Sequence, residues 1–468
     1  MNRFEGCMED WPPSMHIHLV GIGGSGLSAI ARVLWERGHS VSGSDKQANP
    51  MTEALAKDGV AIQLGHDAQQ IENAAAVIYT SAIDEEGMGE VDAARRKGIP
   101  TYRRADIMQT VIGPRPTIAV AGTHGKTTTT AMLVHILRKS GLSPGFILGS
   151  RLASGENASI GTDEIFVVEA DEYDHMFLGL CPETALITNL ELDHPDFFPD
   201  LEALIQAFSR FAWRILPGGR LIHCADDPLL SQTVTALKAD LRLASYGGTA
   251  SADLQLTQIR KSPLGCTAIC MHQGVAAAEL ALALVGEHNL WNAAAALLAA
   301  AEYGIPWEKA AAALQDFPGV ERRMNVRSER AGLAVVDDYA HHPTAIRATI
   351  AAARQKFPER QLVVVWQPHT FSRVAALWDG FTRAFQGADE VIVTEIFAAR
   401  EKPIAGIHGA ALTAAILHPR VHFAPDASAA LAQIIARLQI PACVLILSAG
   451  DAASIGESLL NDWEEIAN

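Results

Sequence analysis

A glycine- and threonine-rich stretch, "AVAGTHGKTTTT" over residues 119–130, contains the residue types that hold nucleotide phosphates. It follows an apolar, strand-like run and precedes the helical "AMLVHILRKSG". Amides near Gly125 suit phosphate oxygens, Lys126 supplies a compact cation, and Thr127 offers a hydroxyl to Mg²⁺. The loop is short, because Val120 occupies the first glycine position of the usual P-loop. The residues alone leave open a shortened nucleotide loop and a Gly/Thr-rich turn that happens to contain a lysine.

Acidic residues follow the next two strand-like runs, in "VVEADEYD" and "NLELDHPD". Hard oxygen ligands at successive strand ends, beside a lysine-threonine loop, are what a Mg²⁺–triphosphate needs. Each one taken singly is more often a solvated loop charge than a ligand, so the interpretation depends on their joint occurrence. The side chains concerned are Glu169, Asp171, Glu172, Glu191, Asp193 and His194.

A second glycine turn, "GIGGSG" over residues 21–26, lies between a strand and a helix, and Asp45 ends the following strand. Glycines permit a tight turn and the close approach of a pyrophosphate, which a helix N-terminus also favours. The motif predicts a dinucleotide or nucleotide-sugar site. It does not separate NAD from UDP, and a turn that needs glycine only for packing has the same pattern.

Further polar residues occur at the starts of helices nearer the C-terminus. "GEHNLWNAAAA" places His288 and Asn292 one helical turn apart, where they could read an adenine edge or simply cap the helix. "GVERRMNV", "DDYAHHPTAI" and "WQPHTFSR" add arginines and histidines, and arginine suits carboxylates and phosphates. His341 and His342 are not predicted to bind one metal, because adjacent residues rarely face the same ion.

The whole chain limits the classes of protein that remain. It has 468 residues and a net charge of −16, which argues against general nucleic-acid binding. Its six cysteines are few and scattered, as in a reducing compartment. The spacing of Cys266, Cys270 and His272 is not that of a zinc knuckle. We expect no signal peptide, no membrane insertion and a cytoplasmic protein.

Strand-like runs alternate with amphipathic stretches throughout, which is typical of α/β folds with mostly parallel sheets. A Gly-Pro-Arg-Pro break at residues 113–116 indicates one boundary, and "GVERRMNV" lies near another. We predict three α/β domains over residues 15–114, 115–323 and 324–468, preceded by an N-terminal tail over residues 1–14.

These motifs, in this order, resemble those of the Mur ligase family. The segments that carry the resemblance are "GIGGSGLSAIA", "GTHGKTTTT", "EADEYD", "GEHNLWNAAAA", "ERRM", "DDYAHHPTAI" and "AAREKPIAG". It covers nearly the whole chain after the first 14 or so residues, and the short phosphate loop is the family's own form. The resemblance therefore resolves the open question at residues 119–130 in favour of an ATP loop.

The family implies a Rossmann-like N-terminal domain for the UDP-sugar and a P-loop ATPase-type α/β central domain for ATP. A Rossmann-like C-terminal domain would take the incoming amino acid. The motifs are most similar to the branch that joins L-alanine to the lactyl carboxylate of UDP-N-acetylmuramate through an acyl phosphate, in peptidoglycan precursor synthesis. ATP, two Mg²⁺ ions, no nucleic-acid partner, and a monomer or dimer are expected.

The resemblance also implies a role for individual residues. The implied ATP contacts are Gly122, Thr123, His124, Gly125, Lys126, Thr127, Thr128, His288, Asn289, Asn292, Arg323 and Asp338. The implied UDP-sugar contacts are Gly21, Gly23, Gly24, Ser25, Gly26, Asp45 and Ser81. Tyr339, His342 and Arg373 resemble amino-acid contacts. Thr127 and Glu172 resemble ligands of one Mg²⁺ and His194 a ligand of a second. The implied catalytic residues are Lys126, His194, Arg373 and His342, the last as the base for the amine proton.

Three other functional hypotheses compete with that of an alanine-adding ligase. A recycling ligase of the same family joins UDP-N-acetylmuramate to a whole tripeptide and shares "HHPTAI". A nicotinamide dehydrogenase would use the first glycine turn and Asp45 but leaves the ATP motifs without a role. A nucleotide-gated scaffold would be expected to have lost Lys126, Glu172 or His194, and all three are present.

Overall fold

We analysed the protein in a computed structural model, which describes residues 8–9, 11–80, 82–83, 85–237 and 241–466. Most of the predicted tail and the predicted UDP-sugar contact Ser81 lie outside the described residues. Three β-sheets follow one another along the chain, and helices flank each sheet. The predicted fold class, three α/β domains, is confirmed.

The N-terminal domain is a parallel five-stranded sheet with helices packed against it. Its elements are β1 (His16–Val20), α1 (Ser25–Glu36), β2 (Ser40–Asp45), α2 (Pro50–Lys57), β3 (Ala61–Leu64), β4 (Ala76–Tyr79), α3 (Glu85–Arg96), β5 (Thr101–Arg103) and α4 (Arg104–Ile112). The strand order is β3-β2-β1-β4-β5, so the order reverses at β1. Ligands of open α/β sheets bind at such a switch point, and here the first glycine turn follows β1.

The central domain contains a ten-stranded mixed sheet. Its strands are β6 (Thr117–Ala121), β7 (Gly145–Ile147), β8 (Ala158–Ser159), β9 (Phe166–Glu169), β10 (Thr184–Ile187), β11 (Arg220–Cys224), β12 (Arg242–Gly247), β13 (Leu254–Ser262), β14 (Gly265–His272) and β15 (Val275–Leu282). The order is β15-β14-β13-β12-β11-β10-β6-β9-β7-β8. The phosphate-loop strand β6 lies between the parallel strands β9 and β10, whose carboxyl ends carry the acidic residues.

The helices of the central domain cover this sheet. They are α5 (Lys126–Lys139), α6 (Leu201–Ala212), α7 (Pro228–Ala236), α8 (His288–Glu302) and α9 (Trp307–Ala313), with 3₁₀ turns at Tyr173–Gly179 and Leu314–Asp316. Helix α8 packs against α5, the helix that begins at the phosphate loop. Its alanine-rich segment is buried, and small side chains there allow the two helices to approach closely.

The C-terminal domain has a six-stranded sheet in which only the pairing of the first two strands is antiparallel. Its strands are β16 (Asn325–Arg330), β17 (Leu333–Asp338), β18 (Gln361–Trp366), β19 (Glu390–Thr394), β20 (Val421–Ala424) and β21 (Ala442–Leu447). Its helices are α10 (Pro343–Lys356), α11 (Phe371–Ala376), α12 (Trp378–Thr382), α13 (Gly409–Ala415), α14 (Ala427–Arg437) and α15 (Ala453–Ile466). Successive residues of β18, such as Val363 and Val364, pack into cores on opposite faces of the sheet. This explains why nearly every residue of β18 is apolar.

Two expectations about the chain as a whole can be compared with the fold. Within the described residues, no helix combines the length and apolar character that a membrane span needs. Cys266 and Cys270 are buried on β14, and the His272 ring packs on Trp307. The clusters of potential metal ligands found among the described residues include none of these three side chains.

Candidate active site

The phosphate loop connects β6 to α5 through two glycines with positive φ angles. Gly122 has φ +127° and Gly125 has φ +82°, conformations that favour glycine. A Cβ atom at position 122 would also lie 2.1 Å from the Thr188 hydroxyl oxygen, and one at position 125 would lie 2.4 Å from Asn292 Oδ1. The loop therefore requires glycine at both positions.

Lys126 begins α5 and turns its ammonium group back over the loop. Its Nζ donates to the Gly122 carbonyl at 2.6 Å and to Glu172 Oε1 at 3.0 Å. The other carboxylate oxygen, Oε2, lies 2.9 Å from Nζ but accepts no well-directed hydrogen bond. Burial opposes the charge on Lys126, but the carboxylates of Glu172 and Asp171 outweigh this and raise the lysine pKa. The lysine is therefore a fixed cation at the mouth of the loop.

A cluster of hard ligands lies beside this lysine. Donor atoms of Asp171, Glu172 and His194 lie within 4.8 Å of one another. Burial raises the pKa of Glu172, whereas the charges of Arg104 and Lys126 overcome burial and lower the pKa of Asp171. Two carboxylates and an imidazole, with one carboxylate oxygen lacking a good donor, fit a divalent cation.

Thr127, predicted to share a Mg²⁺ with Glu172, is bonded to a different carboxylate. Its hydroxyl donates to Glu169 Oε1 at 2.7 Å, and Glu169 Oε2 accepts the Gly149 amide at 2.7 Å. Glu169 ends β9, next to the loop strand, so it lies at the same sheet edge. The sequence placed Glu169 among the strand-end acidic residues suited to Mg²⁺, but the family resemblance did not imply it as an individual ligand.

The predicted adenine readers begin α8, and Asn292 reaches the phosphate loop. The Thr129 hydroxyl donates to Asn292 Oδ1 at 3.3 Å, and Asn292 Nδ2 donates to Asn289 Oδ1 at 3.3 Å. Burial and the neighbouring Arg323 lower the pKa of His288, so its imidazole is neutral near pH 7. All three α8 residues line the same cavity as the loop.

Glu191 and a contact between two histidine rings join the phosphate loop to the C-terminal domain. His124 Nε2 lies 2.9 Å from Glu191 Oε2, and the Thr344 hydroxyl donates to Glu191 Oε1 at 2.7 Å. The His342 ring lies 4.7 Å from that of His124. Burial opposes ionisation of Glu191, but the His124 hydrogen bond and the charge of His342 lower its pKa to about 2. Glu191 was expected only as one of the strand-end acidic residues suited to Mg²⁺, and Thr344 was not predicted as a site residue.

Both ring nitrogens of His342 are engaged. Nε2 donates to the Leu192 carbonyl at 3.2 Å, and Nδ1 accepts the Thr344 amide at 3.3 Å as the cap of α10. Burial lowers the pKa of His342 to about 4. A base role for His342 would require it to give up its capping bond.

One ring nitrogen of His341 has no hydrogen-bond partner in the part of the chain that the structure describes. Its Nδ1 donates to the Tyr339 carbonyl at 2.8 Å, which leaves Nε2 as the unprotonated nitrogen, 3.9 Å from Asp193 Oδ2. Burial and the Arg373 guanidinium hold the pKa of His341 well below its usual range. The adjacent histidines thus face different carboxylates, His341 facing Asp193 and His342 facing Glu191.

Arg373 lies at the centre of a buried polar group between the central and C-terminal domains. Its Nε donates to Asp193 Oδ1 at 2.7 Å, and its Nη1 lies 3.0 Å from His369 Nδ1. Nη2 lies 3.5 Å from His194 Nδ1, so the arginine reaches the metal-ligand cluster. His194 itself has φ 54°, a left-handed conformation that is uncommon for residues other than glycine.

Tyr339 and Asp338, at the end of β17, are held by the segment that precedes the C-terminal sheet. The Arg323 guanidinium lies 5.2 Å from the centre of the Tyr339 ring. Asp338 accepts the amides of Met324 and Ala340 at 2.7 Å and 2.8 Å. Asp338 is thus occupied with backbone contacts, although it also lines the cavity.

The first glycine turn is fixed from the neighbouring strand. The Ser44 carbonyl accepts the amides of Gly21 and Ile22, and Asp45 Oδ2 accepts the Gly23 amide at 2.8 Å. Asp45 therefore shapes the turn. Ser25 and Gly26, at the start of α1, line the cavity.

One cavity of about 1230 Å³ joins these groups from all three domains. Most of the predicted site residues that the structure describes line it. Those that do not are Gly21, Gly24, Asp45, Gly122 and Glu172.

Comparisons with known proteins agree with this architecture. The family models that match are "Mur ligase family, catalytic domain" over residues 16–114, "Mur ligase middle domain" over 120–300 and "Mur ligase, glutamate ligase domain" over 322–450. The chain is 40% identical to a UDP-N-acetylmuramate–L-alanine ligase of Roseiflexus castenholzii, over 95% of this chain and 97% of that relative.

Two solved structures are also similar. A UDP-N-acetylmuramate–alanine ligase from Thermotoga maritima has a TM-score of 0.80 and 28% identity, over 97% of this chain and 100% of that one. A murein peptide ligase from Psychrobacter arcticus has a TM-score of 0.71 and 26% identity, over 96% and 98%. With matches along nearly the whole length, the chain belongs to the Mur ligase family.

Proposed function

We propose that this protein is an ATP-dependent, ADP-forming ligase that joins L-alanine to the lactyl carboxylate of UDP-N-acetylmuramate. The observation that carries the proposal is the single cavity connecting the Lys126 phosphate loop, the first glycine turn and Arg373. Further support comes from the relatives named as UDP-N-acetylmuramate–L-alanine ligases at about 40% identity. The reaction is assigned to the cytoplasm and to peptidoglycan precursor synthesis, and the chain is expected to act as a monomer or dimer.

In this proposal the ATP phosphates lie against the loop from Gly122 to Thr128, with the adenine near His288, Asn289 and Asn292. The lysine charge is fixed by Glu172 and by the loop carbonyl, so it is oriented before the substrate arrives. Arg323 and Asp338 line the same cavity.

Two divalent cations are part of the proposal, one held by Thr127 and Glu172 and the other by His194. The clustering of Asp171, Glu172 and His194 supports a site here, and Glu169 would be a further ligand because Thr127 bonds to it. When bound, Mg²⁺ neutralises the charge that develops on the phosphoryl group.

The covalent steps follow from the two substrates. A lactyl carboxylate oxygen attacks the γ-phosphorus of ATP. The bond between the γ-phosphorus and the oxygen bridging to the β-phosphate breaks, so that ADP leaves and an acyl phosphate forms. The alanine nitrogen then attacks the acyl carbon, and the tetrahedral species expels inorganic phosphate. Lys126 stabilises charge in the first step. Arg373 and Tyr339 are assigned to the alanine carboxylate and its surroundings.

The attacking amine must lose a proton, and we assign this proton to His341 rather than to His342. His341 is neutral, and its tautomer is set by the Tyr339 carbonyl, so Nε2 carries a lone pair. The neighbouring Asp193 carboxylate would stabilise the imidazolium that forms. His342 instead caps α10 and binds the Leu192 carbonyl.

A direct test is to incubate the purified protein with ATP, Mg²⁺, UDP-N-acetylmuramate and isotope-labelled L-alanine. The proposal predicts a product whose mass equals the sum of both substrates minus water, with one ADP per product. ATP hydrolysis without this product would contradict it.

A further inference from the structure

We propose that Arg104 binds the diphosphate of the UDP-sugar, an inference that rests on the proposed function and adds a contact outside the glycine turn. Arg104 is the first residue of α4, directly after the last strand of the N-terminal sheet. Its side chain is 22% exposed and lines the cavity beside Ser25 and Gly26.

The guanidinium lies against the first turn of α1. A Cβ atom at position 26 would lie 2.1 Å from Arg104 Nη1 and 3.2 Å from Cζ, so the missing side chain of Gly26 makes room for the arginine. Gly26 does not have a positive φ angle. Space for Arg104 is therefore a reason for glycine here that backbone conformation does not supply.

Arg104 is held from the other side by the central domain. Its Nη2 donates to Asp171 Oδ2 at 3.2 Å. Among the described residues this is the one carboxylate it contacts, and Asp171 also faces Lys126 and His194. The remaining donors of the guanidinium are available to a ligand in the cavity, while the Asp171 contact limits where they point.

Apart from Asp171, the surroundings of the Arg104 charge favour a further anion. Helix N-termini carry partial positive charge, so a cation at the first position of α4 is disfavoured, and Arg104 also faces the N-terminus of α1. Helix α1 has no side-chain cap and no acidic residue in its first turn. First-turn amides without a side-chain cap among the described residues, together with a guanidinium, suit a phosphate group.

The diphosphate, rather than the lactyl carboxylate, is the group assigned to Arg104. The contact with Gly26 places the guanidinium at the switch point of the N-terminal sheet, where the glycine turn brings backbone close to a pyrophosphate. The planar fork of arginine matches two phosphate oxygens.

The test measures the binding of UDP-N-acetylmuramate and of UDP-N-acetylglucosamine, which lacks the lactyl group, by calorimetry without ATP. Arg104→Gln should weaken both ligands by the same factor, about 10- to 100-fold. Arg104→Lys should lose less, because it keeps the charge but not the fork. The neighbouring Arg103→Gln is the matched control, since Arg103 is 56% exposed and directs Nε to the Tyr79 hydroxyl.

If Arg104 contacts the diphosphate, substitutions of Gly26 and Arg104 should have coupled effects on nucleotide-sugar affinity. Gly26→Ala should displace the guanidinium, so its effect and that of Arg104→Gln should not add in the double variant. Because Arg104 also contacts Asp171 of the metal-ligand cluster, ATP affinity is measured without Mg²⁺. It should change far less than nucleotide-sugar affinity in every variant, which separates a binding role from a general structural one.

An unchanged affinity in Arg104→Gln, a loss confined to UDP-N-acetylmuramate, or an equal loss in Arg103→Gln would overturn the assignment. Failure of the wild-type protein to bind either nucleotide sugar would instead contradict the proposed function itself.

Discussion

Asp193 of the central domain and Arg373 of the C-terminal domain form a buried ion pair, with Arg373 Nε 2.7 Å from Asp193 Oδ1. The side chains are 6% and 4% exposed. Burial opposes ionisation of Asp193, but the charges of His194 and Arg373 hold its pKa well below the usual range. Because the pair also contacts His194 and His369, it sets the distance between the metal-ligand cluster and the amino-acid side of the cavity.

This ion pair predicts a closure defect in Asp193→Asn. Removing one partner of a buried pair leaves the other charge uncompensated, at a cost of about 3–5 kcal/mol. We expect the wild-type protein to become more compact in small-angle scattering when an ATP analogue and UDP-N-acetylmuramate are added, because closure excludes water from the acyl phosphate. Asp193→Asn should not compact. The control is Asp196→Asn in the same loop, and compaction of Asp193→Asn equal to wild type would contradict the prediction.

Lys126→Ala should abolish turnover and leave the UDP-sugar site intact. The lysine is fixed by Glu172 and the Gly122 carbonyl within the central domain, remote in sequence from the first glycine turn. We expect phosphate release to fall by at least about 10³-fold, and UDP-N-acetylmuramate affinity to change by less than twofold. Lys139→Ala, at the exposed end of the same helix, is the control. Equal loss of turnover and of UDP-sugar binding would mean that the domains are misassigned.

His341→Ala and His342→Ala should fail in different ways. His341→Ala should slow reaction with alanine by about 10²–10⁴-fold, because no group then takes the amine proton. It should still form hydroxamate when hydroxylamine, largely unprotonated at neutral pH, replaces alanine. His342→Ala removes the cap of α10 and a contact to Leu192, so it should lower the melting temperature and impair both reactions alike. If His342→Ala lost only the reaction with alanine and His341→Ala impaired both reactions, the base role would belong to His342.

Asp337 should make stability depend on pH in an unusual direction. Burial raises its pKa to about 6, so the folded chain holds this proton more tightly than the unfolded chain. The ionised carboxylate therefore lowers the stability of the folded chain by its full amount above about pH 6. This loss of stability becomes smaller as the pH falls from about 6 towards about 4. Oδ1 of Asp337 has no hydrogen-bond partner among the described residues, which is consistent with a poorly solvated carboxylate.

Calorimetric melting of wild type and Asp337→Asn between pH 4 and 8 measures this effect. The variant should melt on the order of 5 °C higher at pH 8, and the difference should shrink below pH 6. The ion pair with Arg327, at 3.3 Å, reduces the expected gain. A variant that melts lower than wild type at pH 8 would show that this ion pair outweighs the burial penalty.

Much of the fold and the local site geometry could be predicted, because each phosphate-binding turn lies within one strand-turn-helix unit. Gly122 and Gly125 need positive φ angles, and this need is visible as glycine at a fixed spacing. Lys126 and Thr127 then follow from the start of α5. At these positions the residues assigned to phosphate binding are neighbours in the sequence, so their roles could be predicted from the motif.

The residues that connect domains could not be found in this way. Arg104 contacts Asp171, which lies 67 residues away in the sequence, and Thr344 contacts Glu191, which lies 153 residues away. No spacing rule links such pairs, since they depend on how three separate sheets are placed. The one sequence signal for Arg104 was its charge at a helix start, where a cation is disfavoured. The engagement of His342 as a helix cap likewise emerged only from the positions of Leu192 and Thr344.

The central claim is that the protein adds alanine rather than a tripeptide to UDP-N-acetylmuramate. The most direct measurement is phosphate release from ATP with UDP-N-acetylmuramate and Mg²⁺, with L-alanine and the tripeptide L-Ala-γ-D-Glu-meso-diaminopimelate supplied separately. We predict release with alanine and none above background with the tripeptide. Release with the tripeptide alone would contradict the claim, assign the protein to peptidoglycan recycling and invalidate the assignment of Tyr339, His341 and Arg373 to alanine.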